Sequence, residues 1–132
     1  MKTLKAIIET GEDNTFNIYV EQDTPFGFFG EGETVEQAKS DFMNSYNEMK
    51  ELYKEETGNE VSFDFNYKYD IESFFDYYSK IFNMPALERL TGINQKQLHH
   101  YASGLKKPRQ AQKNKIESAL HSLGKELLSV DL

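Results

Sequence analysis

The residues whose types and spacing suggest chemistry lie between Met84 and Arg109, in the stretch MPALERLTGINQKQLHHYASGLKKPR. Gln95, Lys96 and Gln97 stand together, His99 and His100 follow, and Lys106, Lys107 and Arg109 close the run. Amide and ammonium groups suit base edges: Gln can pair bidentately with adenine and Lys can donate to guanine, while a basic loop suits phosphates. Catalytic patterns are missing by comparison. Glu9, Asp13, Glu21 and Asp64 are the carboxylates by type that two-metal nuclease chemistry would need, and none falls in a recognisable motif. His99 and His100 are adjacent and cannot share one helix face, and His121 is distant. There is no Ser-His-Asp set, no glycine-rich phosphate loop and no metal-ligand spacing. The residues therefore read as a binding protein without cofactor, metal site or catalytic group.

To present those side chains, the stretch must fold as helix, tight turn, helix and basic loop. Pro85 suits a first helical turn, where its missing N–H costs nothing, and Leu87 and Leu90 fall on one face of the helix that follows. Gly92 stops that helix, Ile93 turns inward, and Asn94 caps a second helix. Leu98 and Tyr101, three apart, face the first helix, which leaves Gln95, Lys96, Gln97, His99 and His100 pointing elsewhere; Gly104 ends the run. Two short helices joined by such a turn, with amides and a lysine at the start of the second, form the arrangement that reads a major groove.

These residues resemble the helix-turn-helix of phage-repressor-type (XRE-like) transcription regulators at Leu87, Thr91-Gly92-Ile93, Asn94-Gln95, Leu98, Tyr101, Ser103-Gly104 and Lys106-Lys107-Pro108. The resemblance implies that Asn94 caps the recognition helix and that Gln95, Lys96 and His100 touch bases. The chain differs from that family at Met84, where a phosphate-holding Gln is usual, and at Glu88, where a small Ala is usual.

The charge distribution divides the rest of the chain. From Met1 to Tyr78 there are 6 Lys against 18 Asp or Glu, a net −12; from Ser79 to Leu132 there are 9 Lys or Arg against 4 acids, a net +5. An acidic chain is a poor nucleic-acid binder on average, but a basic third confines such binding to one end. We expect two domains, residues 1–69 and 70–132. Cysteine is absent, no apolar run approaches the roughly 20 residues that span a bilayer, and Met1-Lys2-Thr3 does not lead into a signal-peptide core, so a cytoplasmic protein without membrane contact is expected.

In the acidic part, Leu4–Glu9 reads as a strand, Gly11–Asn14 as a turn, and Phe16–Val20 as a second strand with alternating Phe16, Ile18 and Val20. Gly27–Gly30 reads as a third strand. Thr34 with Gln37 forms a capping box that opens a long helix, in which Val35, Ala38, Phe42, Tyr46, Met49 and Tyr53 keep helical spacing up to Gly58. Val61–Tyr69 alternates clearly and, after a helix, is most simply a parallel crossover partner of an earlier strand. Asp70–Ser73 begins a helix carrying Phe74, Phe75 and Tyr78. The last helix spans Gln110–Leu128, with Ile116, Leu120, Leu123 and Leu127 in one stripe beside Ala119. The fold class is α+β: a β-β-β-α-β layer followed by an all-α helix-turn-helix domain.

The strand-turn-strand KAIIETGEDNTFNIYVEQ, followed by Gly30-Glu31-Gly32-Glu33-Thr34 through Ala38, resembles the N-terminal domain of HicB-like antitoxins over residues 1–69. The chain has Pro25-Phe26-Gly27-Phe28 where that family often carries Pro-Gly-Cys. The resemblance implies a reduced RNase-H-like fold and a type II toxin-antitoxin system, in which the acidic domain binds a small basic mRNA-cleaving HicA-like toxin while the helix-turn-helix represses their operon on double-stranded operator DNA. A surface carrying −12 would attract an RNA-binding toxin by the electrostatics that attract RNA. The other reading is a stand-alone transcription regulator with an acidic sensor domain. Part of the last helix would cover the helix-turn-helix core and the remainder pair two chains, giving a homodimer or a dimer of dimers on half-sites about 34 to 36 Å apart.

Overall fold

The computed structural model describes residues 1–11, 13–79 and 81–132; Glu12, inside the turn expected at Gly11–Asn14, and Lys80 lie outside the described residues. The described residues form an α+β chain with one four-stranded mixed sheet and five helices. It divides into two compact units, Met1–Phe74 and Phe75–Leu132.

Unit 1 contains β1 (Lys2–Thr10), β2 (Phe16–Val20), β3 (Gly30–Gly32), α1 (Val35–Thr57) and β4 (Phe63–Tyr69), with strand order β3-β2-β1-β4. β2 runs antiparallel to both β1 and β3, whereas β4 runs parallel to β1, as a strand reached through a crossover helix should. Alternation decides which face is buried: Leu4, Ala6 and Ile8 of β1 and Phe16 and Ile18 of β2 all turn inward. Ala38 and Phe42 of α1 complete this core, and Phe28, Phe65 and Tyr67 pack against it. The helix begins where Thr34 accepts from the Gln37 N–H at 3.1 Å, although Gln37 returns its bond to the N–H of Glu33, one residue before the cap. Gly58, in the left-handed region at φ 74°, closes it.

The third strand lies at Gly30–Gly32 rather than at the expected Gly27–Gly30. Phe26 and Phe28 leave the sheet edge and stack beneath α1 instead, Phe28 on Phe42 at 5.4 Å and on Tyr46 at 5.2 Å, and Phe26 on Tyr53 at 5.4 Å. Burying two rings outweighs a few edge hydrogen bonds. The two glycines are then required by proximity: a Cβ on Gly30 would fall on the Ala38 carbonyl and 2.5 Å from the Phe42 Cβ, and one on Gly32 would lie 2.6 Å from the Ala38 nitrogen. The spacing of G-x-G and Ala38 thus lets α1 lie directly on β3. The last strand begins at Phe63, two residues after the expected Val61, and the Phe63 N–H donates to the Tyr46 hydroxyl at 2.8 Å.

α2 (Ile71–Tyr78) starts with Asp70 accepting from the Ser73 N–H at 3.2 Å, and the Ser73 hydroxyl accepts from the Thr10 N–H at 2.9 Å. These bonds hold the first turn of α2 to the end of β1. Unit 1 therefore extends through Phe74.

Unit 2 contains the rest of α2, then α3 (Met84–Thr91), α4 (Gln95–Ser103) and α5 (Gln110–Leu128). Phe75, Leu87, Ile93, Leu98, Tyr101 and Ile116 are its buried apolar residues, with α3 packed on both α4 and α5. Leu90 does not share the burial of Leu87: it is 38% exposed against 1%. Three residues advance a helix by about 300°, so Leu90 stands off the seam centred on Leu87 and lines an open groove toward α5. The α5 stripe also thins out. Ile116 is buried, Leu120 and Leu123 are half-buried, and Leu127 is 62% exposed. At 1.5 Å per residue the 19-residue α5 outreaches the eight-residue α3 that covers it.

Candidate nucleic-acid interface

The turn between α3 and α4 is built from backbone bonds that the sequence dictates. Asn83, just before Met84-Pro85, caps α3 by accepting from the Ala86 N–H at 2.8 Å; the sequence expectation places Pro85 in the first turn and does not include this cap, although an Asn followed by Pro at the second position is a helix-start signal. Gly92 ends α3 at φ 74° and returns its N–H to the Glu88 carbonyl at 2.8 Å. Thr91 then bridges the corner, its hydroxyl donating to the Leu87 carbonyl at 2.7 Å and accepting from the Ile93 N–H at 3.1 Å. Asn94 caps α4, accepting from the Lys96 N–H at 2.8 Å.

The structure sorts the nine candidate residues into two groups. Asn94, Lys96, His99, Lys106, Lys107 and Arg109 are exposed. Gln95, Gln97 and His100 are half-buried and engaged locally or packed inward. The Gln95 side-chain amide donates to the Glu88 carboxylate at 2.7 Å, and Gln97 donates to the Tyr101 hydroxyl at 2.9 Å, one turn along the same helix. Each amide nitrogen carries two hydrogens, so these bonds orient the amide plane while leaving the carbonyl and one N–H available. Glu88, a departure from the Ala usual at that position, thus orients Gln95. His100 has its Nδ1 buried without a hydrogen-bond partner.

Gly104, at φ 79°, turns the chain out of α4, and the Lys106 N–H reaches back to the His100 carbonyl at 3.2 Å. Pro108 is buried, and this anchors the short loop that carries Lys106 and Lys107. Arg109 occupies the N-cap of α5 without a side-chain capping bond, so a guanidinium, two lysines and the positive end of a 19-residue helix lie close in sequence around one loop. Such a group favours an anion.

Glu9 accepts from the Tyr19 hydroxyl at 3.1 Å, Asp13 accepts from the Thr15 hydroxyl at 2.6 Å, and Glu21 and Asp64 are exposed on different strands or their ends. Among the described residues no three His, Asp or Glu side chains are grouped to hold one metal ion, and no helix is long and apolar enough to cross a membrane.

The chain matches no protein-family model, no curated protein and no solved structure.

Proposed function

We propose that this chain is a HicB-like antitoxin: unit 2 represses an operon by binding its operator DNA, and unit 1 binds and neutralises a small basic HicA-like mRNA-cleaving toxin. The observation that carries the reading is the pairing of an acidic, sheet-containing unit with a separately folded basic unit whose two short helices meet at a Gly92–Asn94 turn.

On the DNA side, the N-terminal end of α4 enters the major groove. Gln95, held by Glu88, meets a base edge with its remaining donor and acceptor, and Lys96, exposed beside it, donates to guanine. His99 and His100 lie one turn further along, and Lys106, Lys107, Arg109 and the start of α5 take phosphates on one flank. Two such units bind two half-sites as a homodimer, with the exposed end of the α5 stripe available for pairing.

On the toxin side, the order β3-β2-β1-β4, with β4 parallel to β1 after the α1 crossover, supports a reduced RNase-H-like layer. The electrostatics of α1 support a basic partner. Its three lysines are occupied: Lys39 lies 4.6 Å from the centre of the Tyr67 ring, Lys50 lies 5.8 Å from that of Tyr46, and Lys54 pairs with Glu60 at 2.8 Å. Glu36, Glu48, Glu51, Glu55 and Glu56 are left exposed along the same helix. A surface of this sign raises the association rate of a basic protein and repels nucleic acid from unit 1. Both tasks belong to the cytoplasm, where operon and messenger meet.

The reading is tested by titrating the purified chain with the product of an adjacent short basic reading frame, and separately with the promoter that precedes the pair. Saturable binding to both is expected; DNA binding alone would leave a regulator with an acidic interaction domain.

A further inference from the structure

The two edges of the unit 1 sheet are unlike. β3 is three residues long, too short to template another strand, whereas β4 runs seven residues with neither proline nor glycine. Natural sheets blunt a long edge with charges, bulges or proline. β4 carries two charges on the face turned away from α1, Asp64 and Lys68, with Asn66 midway, and all three side chains are exposed. Neither charge is satisfied at home. Directly opposite on β1 stand Thr3 for Asp64 and Ile7 for Lys68, and among the described residues neither Asp64 nor Lys68 makes an ion pair.

The backbone of the strand also points to an open edge. The Phe63 N–H donates to the Tyr46 hydroxyl rather than to β1. Peptide directions alternate along a strand, so the backbone groups of Phe65 and Tyr67 turn to the same outer side. Their rings are half-buried against the core under α1.

We propose that β4 pairs antiparallel with β4 of a second copy of this chain, about a two-fold axis through Asn66, joining two four-stranded sheets into one of eight strands. The register follows from charge. With the axis at Asn66, Asp64 faces the second copy's Lys68 and Lys68 faces its Asp64, while Phe65 lies against Tyr67. An axis at Phe65 or Tyr67 would set one charge against Asn66, and an axis at Asp64 or Lys68 would set like charges face to face. Opposite charges and aromatic pairs directly across a ladder stabilise it, and like charges oppose it. The alternation deduced from Phe63 fits this register, because Phe65 and Tyr67 then exchange hydrogen bonds and Asn66 falls at a non-hydrogen-bonded pair. A second copy, rather than an unrelated strand, is the occupant because the edge is complementary to itself. The interface belongs to unit 1, whereas α5 belongs to unit 2, and it depends on neither the DNA nor the toxin reading.

The chain has no cysteine, so cross-linking reports the register without background. At a non-hydrogen-bonded pair the Cα atoms lie about 4.5 Å apart, within disulfide reach. Mild oxidation of the full-length chain carrying Asn66→Cys should convert most of it to a covalent dimer on a non-reducing gel. Asp64→Cys alone and Lys68→Cys alone should remain monomeric, because each residue sits about 13 Å from its own copy, whereas an equal mixture of the two should cross-link. These side chains are exposed, so folding is retained, and circular dichroism checks it. The proposal is overturned if Asn66→Cys stays monomeric while its spectrum matches the parent. It is equally overturned if Asp64→Cys alone cross-links as fast as Asn66→Cys, or if the mixture does not cross-link.

Discussion

Gln95 donates its side-chain amide to the Glu88 carboxylate at 2.7 Å, so the first residue of α4 is held by the middle of α3 across the Gly92 turn. A base-reading amide fixed before DNA arrives loses less side-chain freedom on binding. In the proposed DNA complex Glu88 would also place a negative charge near the phosphates. Replacing it therefore separates two effects: Glu88→Ala should reduce discrimination at the base Gln95 contacts by about 1 kcal/mol, while total affinity for random DNA rises. Competition binding with single-base operator variants at fixed salt measures both. Equal loss of specific and random binding would mean that Glu88 acts only by supporting the fold.

Lys96 and Lys107 are both exposed cations, yet their places differ, one at the start of α4 and the other in the loop after it. Lys96→Ala should cost about 1 to 3 kcal/mol on the preferred operator and relax preference at one position. Lys107→Ala should weaken all DNA alike and lower the salt slope by about 1. Anisotropy titrations between low and physiological salt distinguish the two patterns.

The contact of β3 with α1 gives a stability test. Gly30→Ala sets a methyl against the Ala38 carbonyl and should cost about 1 to 3 kcal/mol, whereas Gly27→Ala, which meets nothing within 4 Å, should stay within about 0.5 kcal/mol of the parent. Urea unfolding followed by circular dichroism provides the comparison. Equal stability of the two variants would show that α1 does not lie on β3 as described.

The extent to which the sequence disclosed this depends on the kind of interaction. Element ends set by local chemistry were legible: Thr34 and Gly58 bound α1, Asn94 and Gly104 bound α4, and the Phe16–Val20 and Gln110–Leu128 segments lie where their periodicity places them. Features set by packing across the chain were not. Phe28 looks like a strand residue, and only the presence of Phe42 and Tyr46 on α1 draws it inward, which leaves two glycines and one glutamate, with no alternation to read, as β3. Leu90 looked like a core residue because its spacing from Leu87 was helical, but an eight-residue helix has a narrow buried seam. In the candidate site, the exposed positions of Lys96, His99 and the basic loop follow from the cap and turn residues. The bonds from Gln95 to Glu88 and from Gln97 to Tyr101 depend on side-chain geometry, which spacing alone does not encode.

Tyr19 provides a pH test of unit 1. Burial, reinforced by the charge of Glu9 and its hydrogen bond at 3.1 Å, pushes the Tyr19 hydroxyl up to about 12 from the ordinary 10.0. The protonated form is thus favoured by the fold: its stabilisation is complete below pH 10.0 and is lost as pH rises toward about 12, because the unfolded chain releases the proton first. The difference in urea midpoint between the parent and Tyr19→Phe should therefore be constant from pH 7 to 9 and shift in favour of Tyr19→Phe above pH 10.0. A difference independent of pH throughout would show that Tyr19 titrates normally.

The most direct measurement is growth of cells expressing the adjacent small basic protein together with this chain. Full-length chain should restore growth and co-purify with that protein. The double variant Lys96→Ala, Lys107→Ala should restore growth equally while failing to repress a reporter placed behind the pair's promoter. Failure of the parent chain to restore growth, together with no complex on co-purification, would contradict the antitoxin function.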